Sequence, residues 1–261
     1  MMALLAVENL EVVYSRAITA VHGVSLSVPQ GAIVAVLGTN GAGKSTTLRA
    51  ISGFLGLDDA RVTEGRIRFD GQDIANLPPH RTAAMGIALV PEREKVFPNL
   101  TVAENLAAVP SPRPRALMDT VHDLFPRLAG LGRRTAGLLS GGERQMLAIA
   151  AGLMGAPRLL MVDELSLGLS PIATAELADS LRRIRRELGL TILLVEQSAA
   201  VALSIADHGY VLENGRVVLE GSAERLRGHP DVQEFYLGGS AGGRRSYRDV
   251  KQYRRSRRWY G

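Results

Sequence analysis

Cysteine is absent from the 261 residues. That excludes disulfides and thiolate metal sites, but it does not fix a compartment. Long apolar runs are also missing. A membrane-crossing helix needs roughly 18–20 apolar residues, and the best candidates, residues 32–37 and 191–195, are only strand length. The N-terminus has no basic segment ahead of its apolar residues and soon meets Glu8 and Asn9. It does not read as a signal peptide, so a protein made and kept in the cytoplasm is expected. There is no internal repeat. The histidines (His22, His80, His122, His208 and His229) are scattered and suggest neither a metal set nor a catalytic triad.

What is present is ordinary for a globular chain: 46% apolar and 22% charged residues. The length is long for one domain and short for two, which suggests one core domain with lobes. The net charge of +5 is unevenly placed. Between Arg244 and Tyr260 lie eight basic side chains and one acid, a local charge of +7, so the rest of the chain carries −2. The basic character belongs to the tail.

Strand patterns cover residues 4–14 and 20–28, each with one apolar face. Residues 33–37 are almost wholly apolar, which suits a buried parallel strand. Further strands are expected at 65–74, with a turn at Asp70 and Gly71, and at 86–90, 159–162 and 191–195. Helices are expected at 45–52, 171–188 and 198–206, and through most of 100–156. Within that last stretch, Thr101 and Glu104 have capping-box spacing, and Pro110, Pro112 and Pro114 mark a loop. Residues 210–212 and 216–219 flank Glu213-Asn214-Gly215, a hairpin signal. Short helices close the fold before Gly238, and a glycine-rich linker leads into the basic tail. Strands alternating with helices indicate an α/β class.

Two motifs carry chemistry. Gly38-Thr39-Asn40-Gly41-Ala42-Gly43-Lys44-Ser45-Thr46 matches G-x-x-x-x-G-K-[ST] between a strand and a helix. Glycines let the backbone curl so that N–H groups face phosphate oxygens, and the helix that follows presents its positive end. Lys44 would neutralise the β and γ phosphates, Ser45 would hold Mg²⁺, and Thr46 would reach the α phosphate. The second motif is Leu139-Ser140-Gly141-Gly142-Glu143-Arg144-Gln145, a glycine-opened helix start that makes another anion site.

This second motif resembles the signature of the ABC (ATP-binding cassette) family. The resemblance spans residues 4 to about 238. It implies a P-loop NTPase cassette over 1–238, with a RecA-like parallel-sheet core, an N-terminal antiparallel β lobe and an inserted α-helical lobe at about 97–156. Residues 239–261 are left as linker and tail. In that family the P-loop of one subunit and the signature of another close on one ATP. Lys44 would then serve catalysis. Residues 38–46 and Tyr14 would bind nucleotide in this chain, with Tyr14 placed where relatives set an aromatic on adenine. Ser140, Gly141 and Gly142 would serve the opposite chain's nucleotide. Asp163 and Glu164 end an apolar run; Asp163 would anchor Mg²⁺ with Ser45, and Glu164 would polarise the attacking water. Ser166-Leu167-Gly168-Leu169 resembles the segment that crosses the dimer interface.

Within the family, the chain is similar to ATP-binding subunits of branched-chain amino-acid importers. Leu77-Pro78-Pro79-His80-Arg81, Val90-Pro91-Glu92, Val96-Phe97-Pro98-Asn99-Leu100-Thr101-Val102, Ser166-Leu167-Gly168-Leu169-Ser170-Pro171, Leu194-Val195-Glu196-Gln197 and Tyr210-Val211-Leu212-Glu213 carry that likeness. Related importers of urea, amides or aromatic acids share these stretches. The wider family usually places glutamine where Glu92 stands and histidine where Gln197 stands. Glu92 can still ligate Mg²⁺, and Gln197 can donate a hydrogen bond but cannot become cationic. Leu165 and Ala151 also depart from the commoner proline and arginine.

The implied activity is ATP hydrolysis at the cytoplasmic face of a bacterial inner membrane. The implied partners are a second cassette of different sequence, two permease subunits and, indirectly, a periplasmic binding protein. Two other readings exist. The arginine-rich tail, with Tyr247, Tyr253, Trp259 and Tyr260, would suit a soluble ABC ATPase acting on nucleic acid. Glu92 and Gln197 would suit a regulatory cassette.

Overall fold

The computed structural model describes residues 3–93 and 95–236. The linker and basic tail at 239–261, and the domain boundary at 238, lie outside the described residues. The chain opens with β1 (Ala3–Tyr14), β2 (Ile18–Pro29) and β3 (Ile33–Gly38), then α1 (Lys44–Ser52) and a 3-10 turn at Phe54–Asp58. Next come β4 (Ala60–Phe69), β5 (Gln72–Asp73), α2 (Pro79–Ala84) and β6 (Ile87–Val90). A helical stretch follows: α3 (Val102–Ala107), α4 (Pro114–Leu124), α5 (Pro126–Ala129), a 3-10 turn at Ala136–Leu138, and α6 (Gly141–Met154). The chain then returns through β7 (Leu159–Asp163), α7 (Pro171–Leu188), β8 (Thr191–Glu196), α8 (Ala199–Ile205), β9 (His208–Glu213) and β10 (Arg216–Ser222). It ends in α9 (Ala223–Arg227) and α10 (Pro230–Tyr236).

Two sheets result. One is antiparallel, in the order β2-β1-β4-β5. The other runs β10-β9-β3-β8-β7-β6, parallel from β9 to β6, with β10 antiparallel on the edge. The period of two along the central strands divides the interior. Ile33, Ala35 and Leu37 face the helical cluster, with Leu160, Val162, Ile192 and Leu194. Val34 and Val36 face the other way, with Met161, Leu193 and Val195, and meet Leu5, Leu10, Val12 and Phe69 of the antiparallel sheet. The central sheet is therefore covered on both faces, and so its strands read as unbroken apolar runs. Among the described residues, no helix is long and apolar enough to cross a membrane.

Local chemistry sets the element ends. Thr101 and Glu104 form the expected capping box at α3. Ser170 caps α7, Pro171 opens it, and Gly189 closes it at a left-handed φ of 63°. Two expectations need revision. Pro114 belongs to a helix: it opens α4, where its missing N–H costs nothing, so only Pro110 and Pro112 lie in the loop. The strand expected from Gly65 begins at Ala60 and passes through Gly65 at φ 86°, where the register with β1 shifts. The short α2, with Pro79 in its first turn, was not among the expected helices.

Candidate active site

The carboxyl ends of the parallel strands define one edge of the central sheet. Gly38 closes β3, and the register pairs Leu37 with Glu196 of β8, Asp163 of β7 with Val195, and Val90 of β6 with Val162. The residues that follow, namely the glycine loop, Gln197, Glu164 and Glu92, therefore emerge side by side.

The glycine loop is shaped by close approach and by strain. A Cβ on Gly38 would lie 2.6 Å from the Leu212 carbonyl oxygen and 2.9 Å from the Ala42 Cβ. Gly41 and Gly43 take φ of 80° and 97°, the left-handed region that favours glycine. No side chain caps α1, which leaves its first-turn N–H groups open to an anion. Thr39, Asn40 and Gly41 are exposed, and Ala42 is buried. Lys44 is folded inward and only 5% exposed. Its Nζ donates to the carbonyls of Gly38 at 2.9 Å and Thr39 at 3.3 Å, and it sits 3.3 Å from Glu164 Oε1. Thr46 Oγ1 lies 3.2 Å from the Tyr14 hydroxyl, so Tyr14 reaches the first turn of α1.

Asp163 is buried, and its Oδ1 has no hydrogen-bond partner. Burial pushes its carboxyl above the usual range. The Ser45 hydroxyl opposes that shift, the neighbouring Glu164 and Glu92 carboxylates add to it, and Lys44 opposes it. Glu164 is also buried and holds a left-handed φ of 54°, while its N–H donates to the Val195 carbonyl at 2.9 Å. A non-glycine residue in that region costs about 1–3 kcal/mol and persists where its surroundings enforce it. Glu92, just past β6, is partly exposed and pairs with Arg93 at 3.2 Å. Lys95 reaches across to Gln145 Oε1 on α6, and its burial lowers the ammonium pKa against the pull of Glu92.

The second motif lies on the helical lobe. Ser140 caps α6 by accepting from the Glu143 N–H at 3.2 Å, and Glu143 Oε2 accepts from the Ser140 N–H at 2.8 Å. The Ser140 N–H, and after it the Ser140 hydroxyl, hold the Glu143 carboxyl below the usual carboxylate range. A Cβ on Gly141 would meet Leu169 Cδ2 at 2.9 Å, and one on Gly142 would meet the Ala173 Cβ at 3.2 Å. The glycines thus let α6 begin against the 166–170 segment and α7. Among the described residues, no hydrogen bond or ion pair joins Ser140, Gly141 or Gly142 to the glycine loop. The structure groups Lys44, Ser45, Asp163 and Glu164, and places the second motif elsewhere in the same chain.

Residues 21–166 match the family model described as ABC transporter. The chain belongs to the ABC transporter family. It is 44% identical over 230 residues to the high-affinity branched-chain amino acid transport ATP-binding protein BraG of Pseudomonas aeruginosa, covering 87% of this chain and 96% of BraG. It is 41% identical to a probable branched-chain amino acid transport ATP-binding protein, LivF, of Archaeoglobus fulgidus, covering 82% and 91%. The lipopolysaccharide export system ATP-binding protein LptB of Haemophilus influenzae is 32% identical, with 91% and 98% covered. A crystal structure of an ATP-binding cassette of an ABC transporter in its ADP conformation superposes with a TM-score of 0.77 at 29% identity, covering 92% of this chain and 100% of that one.

Within this ABC transporter chain, the donor set fits a hard divalent cation. Asp163 offers a buried oxygen with no partner, and Ser45 adjoins it. No group of three or more His, Asp or Glu side chains that could hold a metal occurs among the described residues. A recess of about 450 Å³ lined by Ala50, Leu55, Leu57, Asn76, Leu77 and Pro78 contains none of the residues singled out for ATP chemistry.

Two features of the site went unread in sequence. One is the Lys95–Gln145 link, which no local spacing signals. The other is Glu196, fully buried at the end of β8. Its signal was available: an acid that closes an otherwise apolar strand must find donors or a cation.

Proposed function

We propose that the chain hydrolyses ATP to energise an importer of branched-chain amino acids. The observation that carries the proposal is the buried cluster at the sheet edge. There Lys44 lies 3.3 Å from Glu164, and the Ser45 hydroxyl adjoins the buried Asp163 carboxyl. A phosphate-facing cation, a metal-facing carboxylate and a second carboxylate suited to a water molecule are thereby set within one nucleotide's reach. The likeness to BraG and LivF supports the cargo class. The likeness to LptB supports the energising role without bearing on that cargo.

In this mechanism the amides of residues 38–46 cradle the phosphates, Lys44 spreads the β and γ charge, and Tyr14 lies under the base. Ser45 and Asp163, with Glu92 beside them, would hold Mg²⁺, which would supply neutralisation of the phosphate charge. Glu164 accepts a proton from the attacking water, and Gln197 donates to the γ phosphate. Ser140, Gly141 and Gly142 act on the nucleotide of a second cassette, whose own signature closes this one. Closure then depends on the γ phosphate, and hydrolysis releases it. The segment from Glu92 to Leu100 passes the motion to a permease helix at the cytoplasmic face of the membrane.

The test is reconstitution with the permease subunits and binding protein that co-purify with the chain. ATP-driven uptake of leucine, isoleucine or valine into proteoliposomes is expected. Uptake of urea, amides or aromatic acids in their place would overturn the cargo, and absence of any ATP-driven uptake would overturn the function.

A further inference from the structure

Glu196 is 0% exposed, and no lysine, arginine or histidine pairs with it among the described residues. Hydrogen-bond donors meet it instead. Its Oε1 accepts from the Ser166 N–H at 2.7 Å, and its Oε2 accepts from the Ser166 hydroxyl at 3.0 Å and the Ser198 N–H at 3.4 Å. Burial nevertheless pushes its carboxyl above the ordinary range, and the nearby Glu164 adds to that. The donors belong to two segments that matter for turnover. Ser166 begins the stretch that leaves Glu164 for α7. Ser198 caps α8 by accepting from the Val201 N–H, and Gln197 is held between Glu196 and Ser198.

We propose that Glu196 is a positioning residue: one carboxylate ties the segment after Glu164 to the turn that carries Gln197, so that both groups keep a single geometry toward the γ phosphate. The proposal rests on the roles given above to Glu164 and Gln197. A carboxylate suits the place because the Ser166 and Ser198 N–H groups each need an acceptor, on different oxygens, and the Ser166 hydroxyl donates as well. An amide would put an N–H₂ group toward at least one donor. The backbone supports the same tie, since the Glu164 N–H donates to Val195, the residue before Glu196. The link works through geometry. Small displacements of a catalytic group can cost on the order of 100-fold in rate.

The experiment compares Glu196→Gln with the unaltered chain in the assembled transporter, with Glu164→Gln as the reference. Glu196→Gln is expected to lower kcat about 10- to 100-fold with the KM for ATP held within about threefold. Hydrogen exchange is expected to quicken in 165–169 and 197–199 and to stay unchanged in β3. Unchanged kcat, or kcat and KM shifting together with faster exchange throughout the central sheet, would overturn the proposal. If Glu196→Gln does not fold, Ser166→Ala reads the same tie by removing only the hydroxyl donor. A drop in kcat of about threefold at constant KM supports the proposal, and no drop overturns it. Normal turnover in Glu164→Gln would instead sink the functional reading beneath it.

Discussion

Glu164→Gln is expected to bind MgATP as the unaltered chain does and to turn it over at least about 100 times more slowly. Glutamine keeps the volume of a buried side chain that is only 7% exposed. It also keeps an oxygen that can face Lys44, now at 3.3 Å from the carboxylate. What it loses is basicity, and a positioned general base contributes about 10²- to 10⁴-fold. The strained φ of 54° at this position argues that the surroundings, not the side chain's own preference, hold the carboxylate in place. The amide variant should therefore adopt the same pose. Phosphate release and equilibrium binding of a fluorescent ATP analogue separate the two effects. Turnover that survives the substitution would move the base elsewhere.

Lys44→Ala should fail in the opposite manner, by losing the nucleotide itself. The Lys44 ammonium is 5% exposed and is held by two carbonyls and Glu164. Its removal takes the cation from the phosphates and leaves the Glu164 carboxylate buried without its counter-charge. That second loss lowers fold stability by about 3–5 kcal/mol and is separate from binding. The lost charge-assisted bond to the phosphates is worth about 1.5–3 kcal/mol, so at about 1.4 kcal/mol per tenfold affinity for MgATP should fall by about 10- to 100-fold. Titration calorimetry measures it directly. Affinity within about threefold of the unaltered chain would contradict the role given to the lysine. The pair is diagnostic together: one variant binds and stalls, and the other binds poorly.

The two motifs were legible in sequence because each is a contiguous run whose chemistry is local. A loop that turns through Gly41 and Gly43 at φ of 80° and 97° needs glycine at those places, whatever surrounds it. The Thr101 and Glu104 capping box was equally local and could be read directly. The fold class was legible for a related reason. Strands covered on both faces leave apolar runs such as residues 33–37 and 192–195. Less could be read where meaning depends on distant partners. Glu196 ends a buried strand, but its donors lie on Ser166, thirty residues earlier, and on Ser198. Lys95 contacts Gln145 across fifty positions. The strand through Gly65 required knowledge of its pairing with β1, since the glycine sits where the register shifts. Pro114 was misread as loop because proline is equally at home in a turn and at the first position of a helix.

Nucleotide held between two polypeptides is the central claim, and photocrosslinking tests it most directly. Leu138 is 68% exposed and lies two residues before Ser140, and the chain contains no cysteine of its own. Leu138→Cys, labelled with a benzophenone maleimide in a Glu164→Gln background, therefore carries one defined probe beside the serine-glycine helix start. In the native assembly, MgATP is expected to promote attachment of this probe to the lysine loop of a second cassette, and ADP is expected to abolish it. Attachment that ignores the nucleotide, or that falls on the lysine loop of the same chain, would contradict the account.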